Sequence, residues 1–416
     1  MMIAGFDVRL RPRDRYVTVE DYRRAARRRL PDFVWAYLDG GAEDLVTLRG
    51  NRTGFSAWSL RAHMLTGNGK PDLSTEAMGE KLSLPVMIAP TGYSGLVQWD
   101  GDICAAKAAA KAGTRHVLST ASSWSIEEVA TAVRGHMPGF QLYPREGELA
   151  ANLMRRAWSA GYHSLFVTVD VPAVGLREGE KRMGFSMPPV LAPKALLDIA
   201  MHPRWAVDVL RHKRVSGRNF VNGGKLSDAA ESLAIQTRYV TQAALSWEDL
   251  AWMRDQWKGR LYVKGILEPG DAEKAVALGA EGVVVSNHGG RQLEYALPSI
   301  TALPGVVAAV AGRAEVLLDS GVRRGTDVVK AVALGATAVL VGRPYLYGLA
   351  VEGQAGIEKV LEIFRSEIER TLILMGVKSV RDLTPDHLIP RDGRSDDSDD
   401  PSTRFAAPVR PHAPGA

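Results

Sequence analysis

Short apolar runs recur along the chain from about residue 85 to residue 343, and segments with helical spacing of apolar positions separate them. Runs of about four to eight apolar residues are typical of buried strands, and their alternation with helices is typical of a parallel sheet. Eight such runs are present, at 85–90, 115–120, 140–143, 164–170, 261–265, 282–287, 315–320 and 338–343. The pattern predicts an α/β fold, a (β/α)8 TIM barrel that covers about 85–350.

An internal repeat supports the barrel. The segment DAEKAVALGAEGVVVSN (271–287) aligns without gaps to DVVKAVALGATAVLVGR (327–343), and two βα units of ordinary length separate the copies. Repeated helix–strand units are expected in a closed ring of such units. The alignment equates Ser286 and Asn287 with Gly342 and Arg343 at the ends of two strands.

Three segments lie outside the barrel pattern. Residues 18–84 predict a helical lead-in, and residues 171–250 form an insertion after the fourth strand that is too long for an ordinary loop. The tail, 391–416, is rich in Asp, Ser, Pro and Gly, and we predict that it is disordered. Residues 1–390 are expected to form a single domain.

Composition excludes several classes of protein. The formal net charge of +5 is modest for 416 residues and no nucleic-acid motif accompanies it, so no nucleic-acid partner is predicted. Cys104 is the only cysteine, which rules out an intrachain disulfide and a cysteine cluster for zinc and favours a cytoplasmic setting. The chain has no run of the roughly 18 apolar residues that a spanning helix needs, and no secretory peptide is expected.

Candidate chemistry gathers at the strand ends, where the active sites of TIM barrels lie. His288 and Arg291 flank two glycines directly after the sixth run, which places a proton acceptor beside an anion-binding cation. A single polar residue at a strand end is ordinarily a helix cap, but polar ends on all eight strands favour a reaction centre. These strand-end residues are Pro90 and Thr91, Ser119, Gln141 and Tyr143, Thr168 and Asp170, Lys264, Ser286 and His288, Asp319, Gly342 and Arg343.

The last two strand ends predict a phosphate site. Gly321 and Arg323 follow the seventh run, and Gly342 and Arg343 end the eighth, where barrels bind phosphate through backbone N–H groups. Two glycine turns with surface arginines are the alternative. No G-x-G-x-x-G motif follows the first strand, so a mononucleotide is favoured over a dinucleotide. Lys264 suits a flavin ring, although a salt bridge or a Schiff-base lysine explains its position equally well.

Several motifs together resemble the FMN-dependent 2-hydroxy acid dehydrogenase and oxidase family over roughly residues 18–390. They are SNHGGRQLE, LDSGVRRGTDVVKAVALGA, TVD with a following arginine, QLY, IAPTG and YLDGGAED. Within that family, LSTASSWSIEE (118–128) and HPRWAVDVLRH (202–212) are most similar to the bacterial (S)-mandelate dehydrogenases. The resemblance implies an FMN-containing barrel, without a metal, that oxidises a 2-hydroxy acid to a 2-keto acid.

The resemblance also implies roles for individual residues. His288 would accept the substrate proton and Asp170 would stabilise the resulting imidazolium. Arg177 and Arg291 would bind the substrate carboxylate, and Tyr37 and Tyr143 would hydrogen-bond the carboxylate and the developing charge on oxygen. Contacts to FMN are implied for Pro90, Thr91, Gly92, Ser119, Gln141, Thr168, Lys264 and Ser286, with Asp319 on the ribityl chain.

A departure from the glycolate oxidases suggests the substrate. Those enzymes have alanine where this chain has Gly92 and tryptophan where it has Ala121. Both changes enlarge the pocket, so we expect Gly92 to border the substrate and an aromatic acid such as mandelate to be preferred over glycolate or lactate.

The insertion suggests the electron acceptor. Residues 190–215 combine apolar residues with a cationic end, which is typical of a segment that lies on a membrane surface. A soluble lid or an oligomer contact is the alternative. We expect a peripheral contact with the inner face of the cell membrane and quinone as acceptor, with oxygen as the second choice. A flavin-binding isomerase or a non-catalytic phosphate-binding barrel would not need Arg177, His288 and Arg291 together. A homo-oligomer is expected because symmetric oligomers are common.

Overall fold

The computed structural model describes residues 2–3, 6–7, 15–67, 69–143, 147–184, 193–214, 217–220 and 246–391. The tail predicted to be disordered lies outside the described residues, apart from Arg391, and so do parts of the insertion. None of the described helices is both long enough and apolar enough to cross a membrane.

Eight parallel strands form the centre of the fold, and each coincides with one of the eight predicted runs. They are β1 (Val86–Ile88), β2 (Val117–Ser119), β3 (Gly139–Leu142), β4 (Ser164–Thr168), β5 (Arg260–Ile266), β6 (Gly282–Val285), β7 (Glu315–Leu318) and β8 (Ala338–Val341). Neighbouring strands pair in sequence order from β2 to β8, β8 pairs with β1, and a parallel bridge between Ile88 and His116 closes the ring. The predicted TIM barrel is confirmed.

Helices cover the outside of the barrel and the rim. They are α1 (Val19–Arg27), α2 (Asp32–Asp39), α3 (Val46–Thr53), α4 (Gly101–Ala112), α5 (Ile126–Ala132), α6 (Glu148–Ser159), α7 (Glu178–Arg182), α8 (Pro193–Met201), α9 (Pro203–His212), α10 (Trp247–Gln256), α11 (Pro269–Ala277), α12 (Ser299–Val310), α13 (Gly325–Ala333) and α14 (Arg343–Met375). Capping boxes at Thr18, Ser125 and Ser246 start α1, α5 and α10 by satisfying backbone N–H groups that have no partner within the helix.

The barrel interior is filled at its amino end. Side chains of alternate strand residues, among them Met87, Phe166, Tyr262 and Leu317, form one buried apolar cluster. A hairpin made of strands Thr75–Ala77 and Glu80–Leu82 adds Ala77, Met78 and Leu82 to this cluster. Because this end is plugged, a ligand enters the barrel from the carboxyl end.

Helix α2 of the predicted lead-in and helices α8 and α9 of the predicted insertion lie around that carboxyl end, whereas the hairpin at the end of the lead-in lies at the amino end. Helix α2 has its N-terminus against the insertion helix α8, where the backbone N–H of Asp32 donates to Asp198 at 2.6 Å. Helix α9 contacts the segment after β1, since the indole N–H of Trp205 donates to the carbonyl of Leu96 at 2.6 Å. Residues 247–250 of the predicted insertion belong to α10, the helix that leads into β5.

Candidate active site

A cavity with about 910 Å³ of empty space, its open mouth included, lies at the carboxyl end of the barrel. Its wall contains four of the six predicted catalytic residues, Tyr37, Tyr143, His288 and Arg291, whereas Asp170 and Arg177 lie outside the wall. The wall also contains every predicted cofactor residue except Ser286: Pro90, Thr91, Gly92, Ser119, Gln141, Thr168, Lys264, Asp319, Gly321, Arg323, Gly342 and Arg343.

Strand periodicity explains why these polar side chains share one cavity. Successive side chains of a strand point to opposite faces, so a residue two positions after an interior apolar residue also points inward. Thr168, Lys264 and Asp319 each follow an interior residue of the plugged core by two positions, and they begin the polar layer above it. Thr168 is paired with Lys264 in the register of β4 and β5, as Ser119 is with Gln141 in that of β2 and β3.

Lys264 is buried and carries a charge in this layer. Its ammonium lies 2.8 Å from the carboxylate of Asp319 and donates to Oγ of Ser286 at 3.0 Å. Burial lowers the pKa of Lys264, but the negative charges of Asp319 and Asp170 outweigh it, so the pKa is raised. A lysine held in its charged form is a poor nucleophile, which argues against a Schiff base. Lys264 forms the salt bridge that was one alternative for its position, and it also lines the cavity, as the flavin prediction requires.

Ser286 supports the loop that carries His288 from outside the cavity wall. Its hydroxyl oxygen accepts from the backbone N–H of His288 at 3.1 Å as well as from Lys264. It therefore links the charged lysine to the start of the loop that carries the histidine.

His288 is held in a strained backbone conformation. Its φ is 58°, in the left-handed region that side chains other than glycine rarely adopt, and Gly289 and Gly290 follow at 70° and 71°. Only glycine fits at 290, because a Cβ there would lie 2.6 Å from the backbone nitrogen of Leu48. Such strain persists where the surroundings fix the conformation, and it is concentrated at functional sites.

Asp170 orients the imidazole. His288 Nδ1 lies 2.9 Å from Oδ1 of Asp170. Burial raises the pKa of Asp170, but the charge and hydrogen bond of His288 and the charge of Lys264 outweigh it, so the pKa is lowered and the carboxylate is ionised. An ionised acceptor at Nδ1 assigns the proton of neutral His288 to that nitrogen. Nε2 is then free to accept a proton.

The two predicted carboxylate-binding arginines lie next to each other, but only Arg291 is part of the cavity wall. Its guanidinium donates to the carbonyl of Tyr37 at 2.6 Å and stacks over the Tyr37 ring at 4.9 Å from the centroid. Arg177 donates to the side-chain oxygen of Gln292 at 3.1 Å and to the carbonyl of Arg291 at 3.4 Å. Arg177 thus supports the segment from which Arg291 extends.

Both predicted tyrosines line the cavity. The hydroxyl of Tyr37 donates to the carbonyl of Gly92 at 3.1 Å. Burial raises the pKa of Tyr37 and of Tyr143, and the neighbouring arginines offset this only in part. Both phenols therefore stay protonated at neutral pH.

The opposite end of the cavity is cationic. The guanidinium of Arg343 donates to the carbonyls of Leu38, Gly40 and Gly289 at 3.1, 2.7 and 3.0 Å. Burial and then the charge of Arg291 lower the pKa of Arg343 to about 10, and Arg323 adds to the effect. An anion at this end would relieve the repulsion between the arginines, as the predicted phosphate would.

Unsatisfied polar atoms in the wall test whether a flavin fits. Nε2 of Gln141, Oγ1 of Thr168 and Nε of Arg323 are buried and have no hydrogen-bond partner among the described residues. Buried polar atoms are normally hydrogen-bonded, so these three indicate a polar ligand. Gln141 and Thr168 suit the heteroatoms of a flavin ring near Lys264, and Arg323 suits a phosphate. The residues present fit FMN.

Three residues that sequence reasoning missed support the site. Asn51 and Asn287 exchange two amide hydrogen bonds of 2.7 Å and so fix the lead-in to the catalytic loop. Glu180 is buried beside Arg177 and Arg291. The spacing of Glu180 three residues after Arg177 could have predicted this ion pair, because residues three apart are neighbours on a helical turn. Nothing near Asn51 in the sequence predicts that Asn287 is its partner.

Comparisons with known proteins agree with this geometry. A family profile described as FMN-dependent dehydrogenase matches residues 26–390. The (S)-mandelate dehydrogenase of Pseudomonas putida is 42% identical over 370 residues, 89% of this chain and 93% of that protein. An L-lactate dehydrogenase of Allorhizobium ampelinum is 41% identical over 375 residues, 89% of this chain and 97% of that protein.

A comparison with solved structures also finds an (S)-mandelate dehydrogenase. The crystal structure of the monotopic membrane protein (S)-mandelate dehydrogenase matches with a TM-score of 0.86 at 41% identity, over 90% of this chain and 100% of that one. The chain therefore belongs to the FMN-dependent dehydrogenase family, as an enzyme that uses FMN to oxidise the CH–OH group of 2-hydroxy acids.

Proposed function

We propose that this enzyme oxidises an aromatic 2-hydroxy acid of the mandelate type to the 2-keto acid and delivers the electrons to a quinone at a membrane surface. The choice of an aromatic substrate rests on the small residue, Gly92, in the cavity wall. A Cβ built on Gly92 would lie 2.9 Å from Cβ of Ala121 and 3.6 Å from the hydroxyl of Tyr37. Gly92 lines the cavity beside Tyr37, and Ala121 packs behind it outside the cavity wall, so the wall lies far enough back at this point to admit an aryl group.

The residues of the cavity divide the chemistry among them. Arg291, supported by Arg177, binds the substrate carboxylate, and Tyr143 donates a hydrogen bond to a substrate oxygen. Tyr37 does the same once its hydroxyl rotates away from the carbonyl of Gly92. Nε2 of His288 accepts the substrate proton, and Asp170 stabilises the imidazolium that results. When bound, FMN supplies the acceptor for the two electrons that the α-carbon loses.

A comparison of substrates tests this choice. Burial of an aromatic ring contributes about 1.5–3 kcal/mol, so kcat/KM for (S)-mandelate is expected to exceed that for L-lactate by roughly one to two decades. Reduction of the flavin absorbance bands by (S)-mandelate without oxygen would establish the reaction class. An equal or higher kcat/KM for L-lactate would reject the aromatic substrate and leave the 2-hydroxy acid chemistry intact.

The outer face of α8 and α9 supports membrane attachment. Leu197, Met201 and Leu210 are 65%, 66% and 71% exposed, and Leu196 and Val207 extend the same apolar face. The opposite side contacts the protein, where the ring of Trp205 meets that of Phe33 at 5.5 Å. A soluble lid would turn its apolar residues towards the cavity, whereas these face outwards. Exposed cations nearby, Arg204, Arg211 and Lys213, suit anionic lipid headgroups.

Vesicle sedimentation tests the attachment. The full-length enzyme is expected to sediment with vesicles that contain anionic phospholipid, and a Leu197→Glu/Leu210→Glu variant is expected to stay in the supernatant with its flavin bound. A matched control, Leu293→Glu, changes an apolar residue that is 72% exposed outside this surface. Equal sedimentation of all three proteins would argue against this membrane contact. Stoichiometric hydrogen peroxide during aerobic turnover would favour oxygen over quinone as acceptor.

A further inference from the structure

A buried carboxylate that the proposed chemistry does not use lies between the two arginines. Glu180 is 7% exposed. Its Oε1 is 2.9 Å from a terminal nitrogen of Arg291, and its Oε2 is 3.7 Å from a terminal nitrogen of Arg177. The carboxylate is part of α7, a helical turn that starts directly after Arg177.

The surrounding structure holds Glu180 at this place. The backbone N–H of Glu43 donates to the carbonyl of Leu176 at 2.8 Å, which ties the segment before α7 to the segment after α2. Arg291, in turn, donates to the carbonyl of Gly40 at 3.2 Å in the same region. The carboxylate therefore restrains the plane of the Arg291 guanidinium from one side while α2 restrains it from the other.

Arg177, Arg291 and Glu180 form one corner of the site, and together they carry a single net positive charge. Two guanidiniums and one carboxylate leave a net charge of +1. Lys264 is paired with Asp319 at 2.8 Å, and Asp170 lies 2.9 Å from His288, which becomes cationic when it takes up the substrate proton. Arg323 and Arg343 line the opposite end of the cavity, where the phosphate is predicted. A buried site with one net positive charge is neutralised by one carboxylate. A second negative charge on the ligand would be uncompensated and would also be repelled by Glu180.

We propose that Glu180 is a specificity-determining residue that restricts the site to 2-hydroxy acids with a single negative charge. It acts through Arg291 and Arg177, by setting the net charge of the corner and by fixing the guanidinium that grips the carboxylate. This inference rests on the proposed binding of the substrate carboxylate by these arginines. It adds to that proposal the selection of monoanionic over dianionic acids.

Binding of two matched inhibitors to the FMN-loaded enzyme tests the inference without turnover. Phenylacetate and phenylmalonate differ by one carboxylate, and at pH 8 they are a monoanion and a dianion. Their dissociation constants can be measured from perturbation of the flavin absorbance spectrum at fixed ionic strength. The wild-type enzyme is expected to bind phenylacetate at least about tenfold more tightly than phenylmalonate, because like charges repel in a desolvated site.

Substitution of Glu180 should remove this selectivity. In Glu180→Gln the ratio of the two dissociation constants is expected to fall about tenfold or to invert, because the corner gains one positive charge while the amide oxygen still accepts from Arg291. Glu180→Asp keeps the charge and should keep the preference for the monoanion. Glu178→Gln is the matched control, since Glu178 is in the same helix but pairs with Arg182 near the surface. Its ratio should equal that of the wild type.

Two results would overturn the inference. The first is a wild-type enzyme that binds phenylmalonate as tightly as phenylacetate, a measurement that needs no variant to fold. The second is a Glu180→Gln protein with normal flavin content and an unchanged ratio. A failure of the proposed function would be seen differently, as a wild-type flavin spectrum that no 2-hydroxy acid reduces.

Discussion

Asp198 accepts a hydrogen bond at 2.6 Å from the backbone N–H of Asp32, the first residue of α2, and so caps this helix from another part of the chain. The residue at the N-cap, Pro31, makes no side-chain cap of its own. At the other end of α2, the carbonyls of Tyr37 and Leu38 accept from Arg291 and Arg343. One helix thus connects the insertion with Arg291 and Arg343 at the two ends of the cavity.

Loss of this cap is expected to disturb the site that α2 carries. Asp198→Ala should lower the free energy of unfolding by about 1 kcal/mol, the usual value of an N-cap, and should raise KM because Tyr37 is less firmly held. Asp198→Asn keeps an acceptor oxygen and should resemble the wild type. Thermal unfolding and steady-state kinetics of the three proteins give the comparison. A normal KM in a destabilised Asp198→Ala protein would show that the cap has no influence on the cavity.

Gly92 is expected to limit the size of the substrate. Gly92→Ala would place a methyl group 2.9 Å from Cβ of Ala121, so the wall must shift towards the substrate. We expect kcat/KM for mandelate to fall by about one decade or more, and that for lactate to fall less, because an overpacked site costs about 1–3 kcal/mol. The double variant Gly92→Ala/Ala121→Gly removes the clash and should recover much of the mandelate activity. An equal loss on both acids, without recovery in the double variant, would contradict this account.

Removal of the proposed base should lower the reaction rate and leave the binding of FMN unchanged. His288→Gln is expected to lower kcat by about 10²–10⁴-fold, the range that general base catalysis contributes, with the ratio of flavin to protein unchanged. His163→Gln is a suitable control, because His163 is an exposed histidine outside the cavity wall. If the His288→Gln protein kept nearly full kcat, a group other than His288 would be the base.

The local pattern of the sequence predicted the strands, as short apolar runs, and much of the cavity wall, as the polar residues at the ends of those runs. Thr168 and Lys264 could be placed in one layer without knowledge of any long-range contact. The hydrogen-bond partners of the arginines could not be predicted from the local pattern. Arg343 was assigned to phosphate, and its guanidinium also binds the carbonyl of Leu38, 305 residues away. Asn51 and Asn287 are 236 residues apart. Such contacts depend on how α2 and α3 dock on the rim, which no local pattern records.

A buried carboxyl outside the cavity predicts a dependence of stability on pH. Asp102, in α4, accepts from the backbone N–H of Ser123 at 2.8 Å, and burial raises its pKa to about 7. In the unfolded chain the pKa of an aspartate is about 3.9. Because the folded state holds the proton more tightly, this contribution to stability is complete below about pH 4 and is lost as the pH rises to about 7.

The Asp102→Asn variant isolates this effect, since asparagine keeps an acceptor for Ser123 and does not titrate. Relative to the wild type, its free energy of unfolding is expected to rise between about pH 4 and pH 7, by at most about 4 kcal/mol, and to level off above that. Urea unfolding at several pH values measures the difference. Asp255→Asn, at an exposed aspartate, should show no comparable trend. If the difference between Asp102→Asn and the wild type were constant across this pH range, Asp102 would be ionised in the folded protein, and the hydrogen bond from Ser123 would be strong enough to offset its burial.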